Sequence, residues 1–549
     1  MRTLFDQRIA QYTGFCVIFF LLVCTRSLAQ QVAVNDDLLM DYLRAQSLRD
    51  TSEQMNRSLC VLPGGEKWIA ADTFLSRHYY SPLVTKKHIG LGLIPLSLTQ
   101  KYNSHHPYGW NGSSFYPTAG YQARLSTGFY ARLGPLQLQL QPEYVYAANP
   151  AYEHGPHWGT DTKTMAYHQF FPGQSSINLQ LGATSFSVST ANAWWGPGIY
   201  NSLMMSNNAP GFLHASFHSN RPVKTVIGSF EWELMAGKLV EDTNVVLENK
   251  DLLTSVYNPD NYNGTGFSDY HPENKWRYLN AVTLTYQPKW VPHLFVGITR
   301  VAYAYNDNLT KDRNSFLHNY FPTIFGVFRN NYAYGSDTGS SAKRYKQLLS
   351  FHAKYIFRKS HLEVHAEYGW DDNFWNVRDF FLDIPHSAAY TLGFIKMWPV
   401  RKGYWMDVTG EVTQMAQTTD YLVRTSGYWY LYQGGYTEQS RVIGAGVGAG
   451  NNVQTLALHL RGKGFTQWGC KLLRVQHDPM QDNPYQPLIT LGQRPQKWTD
   501  IAVGVNANLQ YKKMVFSGEM QWVTSRNYAW QENVVTGNLY ALLTVRYLW

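Results

Sequence analysis

The chain of 549 residues lacks several features that are common in proteins of its length. Charged residues make up only 15% of it, and beyond residue 30 no apolar run approaches the ~20 residues of a transmembrane helix. Phosphate-binding, zinc-protease and serine-hydrolase motifs and paired C-x-x-C elements are also absent. These absences argue against a helical membrane protein, and they leave nothing to support an enzyme, a cofactor or a metal site.

Residues 1–29 have the layout of a secretory signal peptide, with a positively charged start, an apolar centre and small residues at its end. A lipoprotein anchor at Cys24 is the weaker alternative, because bulky Val23 precedes it. We therefore expect the mature chain to begin near residue 30. It then keeps two cysteines, Cys60 and Cys470, for which both a periplasmic bridge and two separate thiols stay open.

Aromatic residues are abundant, at 15% of the chain, and Tyr is the commonest of them. An exported chain that is rich in aromatics and poor in charge fits an outer-membrane β-barrel, whose strands alternate between lipid and a polar lumen. The formal charge of +9 suits anionic partners such as lipopolysaccharide phosphates or acidic polysaccharide. Nothing in the sequence points to nucleic acid.

Helical periodicity is persuasive in one stretch, NDDLLMDYLRAQSLRD at residues 35–50. Asn35 is a suitable N-cap, the two aspartates that follow complement the positive end of a helix, and the leucines form an apolar stripe. We therefore expect residues 30–95 to form a small, mainly helical periplasmic or plug segment.

Residues 96–549 are predicted to form an antiparallel barrel of 14 to 20 strands, at about 10 residues per strand. LQLQLQ at 136–141 alternates strictly, and residues 347–357 and 361–370 read as a hairpin around a tight turn. The last strand, 538–549, keeps one apolar and aromatic face and ends on Trp549, as bacterial outer-membrane barrels do.

Three stretches allow more than one interpretation. GAGVGAG at 444–450 does not fit a dinucleotide-binding motif and is expected to be a barrel strand with a smooth inner face. Asp371 and Asp372 beside tryptophans could mimic a glycosidase pair, but adjacent residues of a strand point to opposite faces. The histidines and glutamates of 361–370 are interpreted as polar lumen residues rather than as metal or acid/base groups.

WWGPGIYNSLMMSNNAPGF, HSAAYTLGF and GGYTEQSRVIGAG occur in the order and at the spacing of Wzi-type capsule-assembly outer-membrane proteins, and the chain resembles that family over most of its mature length. The resemblance implies an 18-stranded barrel with a helical plug at its periplasmic mouth, acting as a lectin-like protein that retains capsular polysaccharide. The family motif residues are predicted to shape the lumen, with an exposed sugar platform as the alternative; they are Trp194, Trp195, Gly196, Pro197, Gly198, Asn208 and Pro210.

Residues 524–537 and 476–498 are predicted to be extracellular, because such barrels end on the periplasmic side. Their aromatic, amide and basic side chains could stack on sugars and meet hydroxyl and carboxylate groups. The predicted polysaccharide-binding residues are Arg526, Tyr528, Trp530, Gln531, Tyr485, Gln493, Arg494, Lys497 and Trp498. For each of them the alternative is an interface anchor or a contact with lipid A phosphate. A monomeric outer-membrane protein is expected, and a porin-like channel is the rival function.

Overall fold

The fold is that of a computed structural model. It describes residues 36–49, 58–62, 74–75, 81–85, 89–150, 152, 166–240, 276–306, 309, 316–325, 345–371, 388–416, 436–439, 441–448, 450–477 and 497–549. Within these ranges no helix is both long and apolar enough to cross a membrane.

Eighteen antiparallel strands close into a barrel, which confirms the predicted fold class. The first nine are β1 Ile89–Asn103, β2 Gly120–Leu133, β3 Leu136–Leu140 with Glu143–Ala147, β4 Tyr167–Phe171 with Ser176–Leu181, β5 Thr184–Ser189, β6 His214–Ser219 with Val223–Lys224, β7 Gly228–Leu239, β8 Arg277–Pro288 and β9 Leu294–Tyr305. The others are β10 Lys346–Phe357, β11 Leu362–Asp371, β12 Ala388–Arg401, β13 Tyr404–Gln414, β14 Asn452–Arg461, β15 Gln467–His477, β16 Trp498–Tyr511, β17 Met514–Arg526 and β18 Val535–Tyr547. Each strand pairs with its neighbour in sequence, and β18 pairs with β1 to close the ring.

Side chains alternate between the outside and the inside of the wall, as the period of two predicts. In β3 the side chains of Leu136, Leu138 and Leu140 are exposed on the outside, whereas Gln139 is buried on the inside. In β16 exposed Ile501, Val503 and Val505 alternate with buried or inward residues in the same way. Because a barrel in lipid needs an outward apolar band and a polar interior, this pattern is that of a transmembrane barrel.

The two mouths of the barrel differ in the length of their connections. At the mouth where β18 ends, called the lower mouth here, the connections between strands have two to five residues. At the opposite, upper mouth they have eight residues or more. Short periplasmic turns and long extracellular loops are typical of outer-membrane barrels, so the lower mouth is periplasmic and the upper mouth is extracellular.

A helix, α1 (Asp37–Arg49), lies across the lower mouth. Asp36, the residue before it, is its N-cap, because its Oδ1 accepts a hydrogen bond from the backbone N–H of Leu39 at 3.3 Å. Asn35, the predicted cap, lies outside the described residues, and the cap that is present is one residue later. Salt bridges from Asp36 to Arg546 (3.1 Å) and from Asp41 to Arg461 (2.6 Å) tie α1 to β18 and β14.

The barrel was predicted to begin at residue 96, but two of its strand segments begin earlier in the chain. Ser81–Thr85 pairs with the lower end of β1, which starts at Ile89. The division of residues 1–95 into a signal peptide and a plug segment stays a prediction.

Further short elements are the helices Phe316–Tyr320 and Pro322–Phe325, the 3-10 turns Arg358–Ser360 and Tyr528–Trp530, and the strand pairs Val61–Leu62 with Trp194–Trp195 and Thr437–Glu438 with Arg441–Val442.

The structure corrects one prediction on local structure, the strand at residues 444–450, and decides another question, the possible disulfide. Residues 444–448 form bends and a turn inside the barrel rather than a wall strand. Gly446 packs closely against the neighbouring loops, because a Cβ there would lie 2.7 Å from Asn111 Oδ1 and 2.8 Å from Asn208 Oδ1. Cys60, which is buried, and Cys470, which is exposed, are both free thiols, so the bridge is absent.

Candidate functional site

The connection between β5 and β6, residues 190–213, runs into the lumen and is called the internal segment here. Trp194 and Trp195 pair there with Leu62 and Val61 in a two-stranded sheet that is separate from the wall. Gly196 has a φ of +123°, and a Cβ on it would lie 2.8 Å from Glu367 Oε2. A Cβ on Gly198 would lie 1.8 Å from the carbonyl oxygen of Asn201. Glycine is therefore required at both positions for the sharp bend of the W-W-G-P-G motif.

Three wall carboxylates hold the internal segment from the side. Glu411 accepts hydrogen bonds from three consecutive backbone N–H groups, those of residues 199, 200 and 201, at 2.5, 3.0 and 2.9 Å. Glu367 accepts one from the N–H of Leu203 at 3.1 Å, and Glu233 accepts one from Trp195 Nε1 at 3.0 Å. Since these carboxylates satisfy backbone and indole donors, their first role is to fix a buried loop.

Arg44 of α1 fastens the plug helix to the same segment. Its guanidinium donates to the carbonyl oxygens of Pro197 and Gly198 at 3.0 and 3.1 Å, and it forms a salt bridge with Glu363 at 3.2 Å. Glu363 also lies 3.3 Å from Lys354 Nζ. Both wall side chains are fully buried, so charge is balanced within the lumen rather than by solvent. This arrangement joins the helix, the motif and the wall.

Connections from the upper mouth reach down to the internal segment. Asn208 donates through Nδ2 to the carbonyl of Val442 at 2.9 Å, and its Oδ1 accepts from the N–H of Asn111 at 3.1 Å. Ser206 Oγ donates to the carbonyl of Gly444 at 2.6 Å. Around these contacts lies an apolar cluster that includes Trp195, which is 0% exposed. The lumen is thus packed like a protein core at this level.

The motif residues therefore occupy the lumen rather than a surface. Trp194 packs in an apolar cluster with Leu38, Leu39 and Leu43 of α1, and Pro210 is buried. The side chains of Glu363, His365 and Glu367 face inward, as the alternating pattern of β11 predicts. Among the residues that the structure describes, no three His, Cys, Asp or Glu side chains are grouped as metal ligands. Asp371 is buried at the end of β11, and Asp372 lies outside the described residues.

The family model for the capsule assembly protein Wzi matches residues 111–527, which is more than half of the chain. The chain belongs to the Wzi family of capsule-assembly proteins. A solved structure with a similar fold is Wzi of Escherichia coli, described as an outer-membrane protein involved in group 1 capsule assembly and a carbohydrate-binding β-barrel. It has a TM-score of 0.60 at 12% identity, with 95% of this chain and 100% of that chain covered.

Other similar structures are outer-membrane proteins with lower scores. OccAB2 of Acinetobacter baumannii has a TM-score of 0.38 at 10% identity, covering 83% of this chain and 97% of its own. OprD of Pseudomonas aeruginosa has a TM-score of 0.37 at 6% identity, covering 84% and 94%. No curated protein sequence matches the chain. This Wzi-family barrel is a Gram-negative outer-membrane protein whose upper loops face the cell exterior.

The upper mouth carries a group of aromatic and histidine rings that is called the rim cluster here; it consists of His105, His106, His477, Trp498, Tyr528 and Trp530. The centroid of the Trp498 ring lies 4.0 Å from that of His477, 5.1 Å from Tyr528 and 5.4 Å from Trp530. Asp500 supports it from below, accepting from Trp498 Nε1 at 2.6 Å and lying 2.8 Å from His477 Nε2. Burial lowers the pKa of His106 to about 4.

The structure divides the predicted polysaccharide-binding set. Tyr528 and Trp530 are buried within the rim cluster, so their ring faces are occupied by other rings. Trp498 is half-buried beside them. Gln531, Lys497 and Arg526 are exposed. Tyr485, Gln493 and Arg494 lie outside the described residues, and a polysaccharide role for any of the nine stays a prediction.

Sequence reasoning missed the carboxylates and the arginine that hold the internal segment: Glu233, Glu367, Glu411 and Arg44. The first three stand at inward positions of alternating strands, and Glu367 was recognised only as a polar lumen residue. Their partners are separated from them by long stretches of chain, with 212 positions between Ile199 and Glu411. A single sequence contains no signal that pairs such residues.

Proposed function

We propose that this Wzi-family barrel binds capsular or other surface polysaccharide at its upper mouth and retains it on the cell. The observation that carries the proposal is the packed lumen: the internal segment, its carboxylates and α1 occupy the space that a porin leaves to water. A barrel that is filled in this way still offers its extracellular rim to a ligand. The protein needs no catalytic group, cofactor or metal for this role, and we propose that it acts as a monomer in contact with outer-membrane lipid.

Contact with the polysaccharide is proposed for the exposed side of the rim cluster. Trp498 is held from below by its hydrogen bond to Asp500, which keeps the indole in one orientation. Gln531 stands on the exposed tip of the β17–β18 connection, where its amide can exchange hydrogen bonds with sugar hydroxyls. Tyr528 and Trp530 pack against the ring of Trp498. An ordered aromatic edge beside free amides is a suitable surface for a sugar chain.

The test is a deletion strain in which the polymer is measured separately on cells and in the medium. We expect the polymer to be made but shed, and we expect the wild-type gene to restore it to the cells. A Trp498→Ala variant should restore retention only in part. Trp290→Ala, which removes an exposed Trp at the lower mouth, is the matched control and should restore it fully. Unchanged retention in the deletion strain would exclude the proposed function.

The rival function is a channel, since barrels of this size can enclose water. Planar-bilayer recording separates the two functions: the proposal expects the full-length protein to be closed and a variant without residues 37–49 to conduct. Deletion of residues 30–95 is unsuitable, because the first strand, β1, begins at Ile89. A steady open pore in the full-length protein would favour the channel.

A further inference from the structure

The wall separates the basic residues of the predicted loops from the aromatic ones. Along β17 every second side chain points outward, which includes Met520 and Trp522, the latter 57% exposed. Arg526 is four residues after Trp522 and so belongs to the same outward row. Along β15 the outward Leu472, 48% exposed, is followed by Arg474. Because alternate residues of a strand share one face, both arginines stand on the outside of the barrel, above apolar side chains that face lipid.

Strand register places these cations close together. Arg526 pairs with Thr499 across β17 and β16, and Thr499 pairs with Gln476 across β16 and β15. Arg474 is two residues from Gln476 on the same face. With neighbouring strands about 4.8 Å apart, the two arginines stand roughly 12 Å apart at their backbones.

Lys497 joins the two arginines from the connection between β15 and β16. Its carbonyl accepts a hydrogen bond from Asn527 Nδ2 at 3.3 Å, so its backbone lies beside the end of β17. Its side chain is exposed, as is that of Arg526. Three cations thus follow one another along the outer edge of the upper mouth.

No carboxylate neutralises these cations within the described part of the chain. The salt bridges found there involve none of Arg474, Lys497 and Arg526. Arg474 instead donates to two amide oxygens, to Gln454 Oε1 at 2.9 Å and to Gln476 Oε1 at 3.0 Å. The neutral amides orient its guanidinium without cancelling its charge, so the remaining donors of the fork are free for an anion.

We propose that Arg474, Lys497 and Arg526 form a binding site for the phosphate groups of the outer-leaflet glycolipid, lipopolysaccharide. A phosphate matches the charge and the fork geometry of arginine. The apolar residues directly below the three cations favour an amphiphile, whose acyl chains cover Leu472 and Trp522 while its phosphates meet the arginines. An anionic polysaccharide in water would leave that apolar face uncovered.

The experiment compares a triple variant, R474Q/K497Q/R526Q, with a matched variant that loses three exposed lysines at the lower mouth, K402Q/K512Q/K513Q. Both lose the same charge at exposed positions, and heat-modifiable migration on gels checks that both barrels are folded. The protein is purified in non-ionic detergent, and bound glycolipid is counted per barrel through its hydroxylated fatty acids. We expect at least tenfold less glycolipid on the triple variant and no change on the matched variant.

Added ligands then separate the sources of phosphate. Diphosphoryl lipid A should raise the melting temperature of the wild-type barrel, whereas lipid A without phosphates and inorganic phosphate alone should not. Equal stabilisation by the dephosphorylated lipid, or by free phosphate, would overturn the proposal. So would normal glycolipid binding by the triple variant. Loss of polysaccharide retention with normal glycolipid binding would assign the cations to the glycan instead. Unchanged retention in the deletion strain would exclude the proposed function, but it would leave this site standing, because the glycolipid is counted on the purified barrel.

Discussion

Replacing Arg44 with Met is expected to release α1 from the lower mouth while the barrel wall stays folded. The change removes two hydrogen bonds to carbonyl oxygens of the internal segment and the salt bridge with Glu363. It keeps a long unbranched side chain of similar length, which limits the cavity that the change leaves. The wall strands pair with one another and not with α1, and they should therefore be unaffected.

The loss in docking free energy of α1 depends on the partners that Glu363 keeps after the change. Removal of one member of a buried ion pair costs about 3–5 kcal/mol, because the other charge is left in the interior. Glu363 keeps Lys354 at 3.3 Å, so we expect the loss to be near the lower limit, about 3 kcal/mol. Because each factor of ten in an equilibrium corresponds to about 1.4 kcal/mol, the ratio of undocked to docked α1 should rise roughly 100-fold.

The assay is planar-bilayer conductance, with susceptibility of cells to a large antibiotic as a second readout. Frequent openings are expected for Arg44→Met and rare ones for the wild type. Arg49→Met is the matched control, because Nε and Nη2 of Arg49 have no hydrogen-bond partner although it belongs to the same helix. If Arg44→Met stays as closed as Arg49→Met, and the rate of hydrogen exchange in α1 does not change, the fastening role of Arg44 is refuted.

Three further predictions concern the core, the rim and the thiols. Trp195→Ala should lower the free energy of unfolding by about 3–5 kcal/mol, and it leaves the carboxylate of Glu233 without its indole donor. The yield of folded barrel, measured as the heat-modifiable band on gels, should therefore decrease; a normal yield would contradict this. Burial lowers the pKa of His106 to about 4, so below pH 6.5 the unfolded state binds a proton that the folded state does not. The free energy of unfolding should therefore fall with acidification, by roughly 2 kcal/mol at pH 5. Hydrogen exchange of the rim should show this loss in the wild type and not in His106→Phe. Burial raises the pKa of Cys60 to about 12, so Cys60 should resist a membrane-permeant maleimide until the barrel is denatured, whether or not the lipid-facing Cys470 reacts; labelling of Cys60 in the folded state would refute its buried position.

The architecture could be predicted from the sequence because the features that specify it are local. Alternation in 136–141 and 361–370 places leucines outside and polar residues inside, whatever the rest of the chain does. The helix and its acidic start depend on neighbouring residues in the same way. GAGVGAG was misassigned because glycine and alanine leave almost no contrast between two faces, so their alternation predicts a strand too readily.

The rim shows why the predicted site could only be resolved in three dimensions. Arg526 and Tyr528 are two residues apart in the sequence and were predicted to serve one ligand. The wall strand ends at Arg526, which leaves it facing outward, whereas left-handed φ values of 50° at Asn527 and 56° at Ala529 turn the chain back over the mouth. Tyr528 is buried as a result. Side-chain direction depends on where a strand ends, which periodicity defines poorly.

The sequence by itself determined an outer-membrane barrel, its alternating wall, its N-terminal helix and its family. Tertiary structure alone decided how the lumen is filled. Arg44 reaches carbonyl oxygens 153 and 154 positions away and a carboxylate 319 positions away. Closure of eighteen strands brings such residues together, because each charge that is buried in the lumen must find its partner wherever the wall presents one.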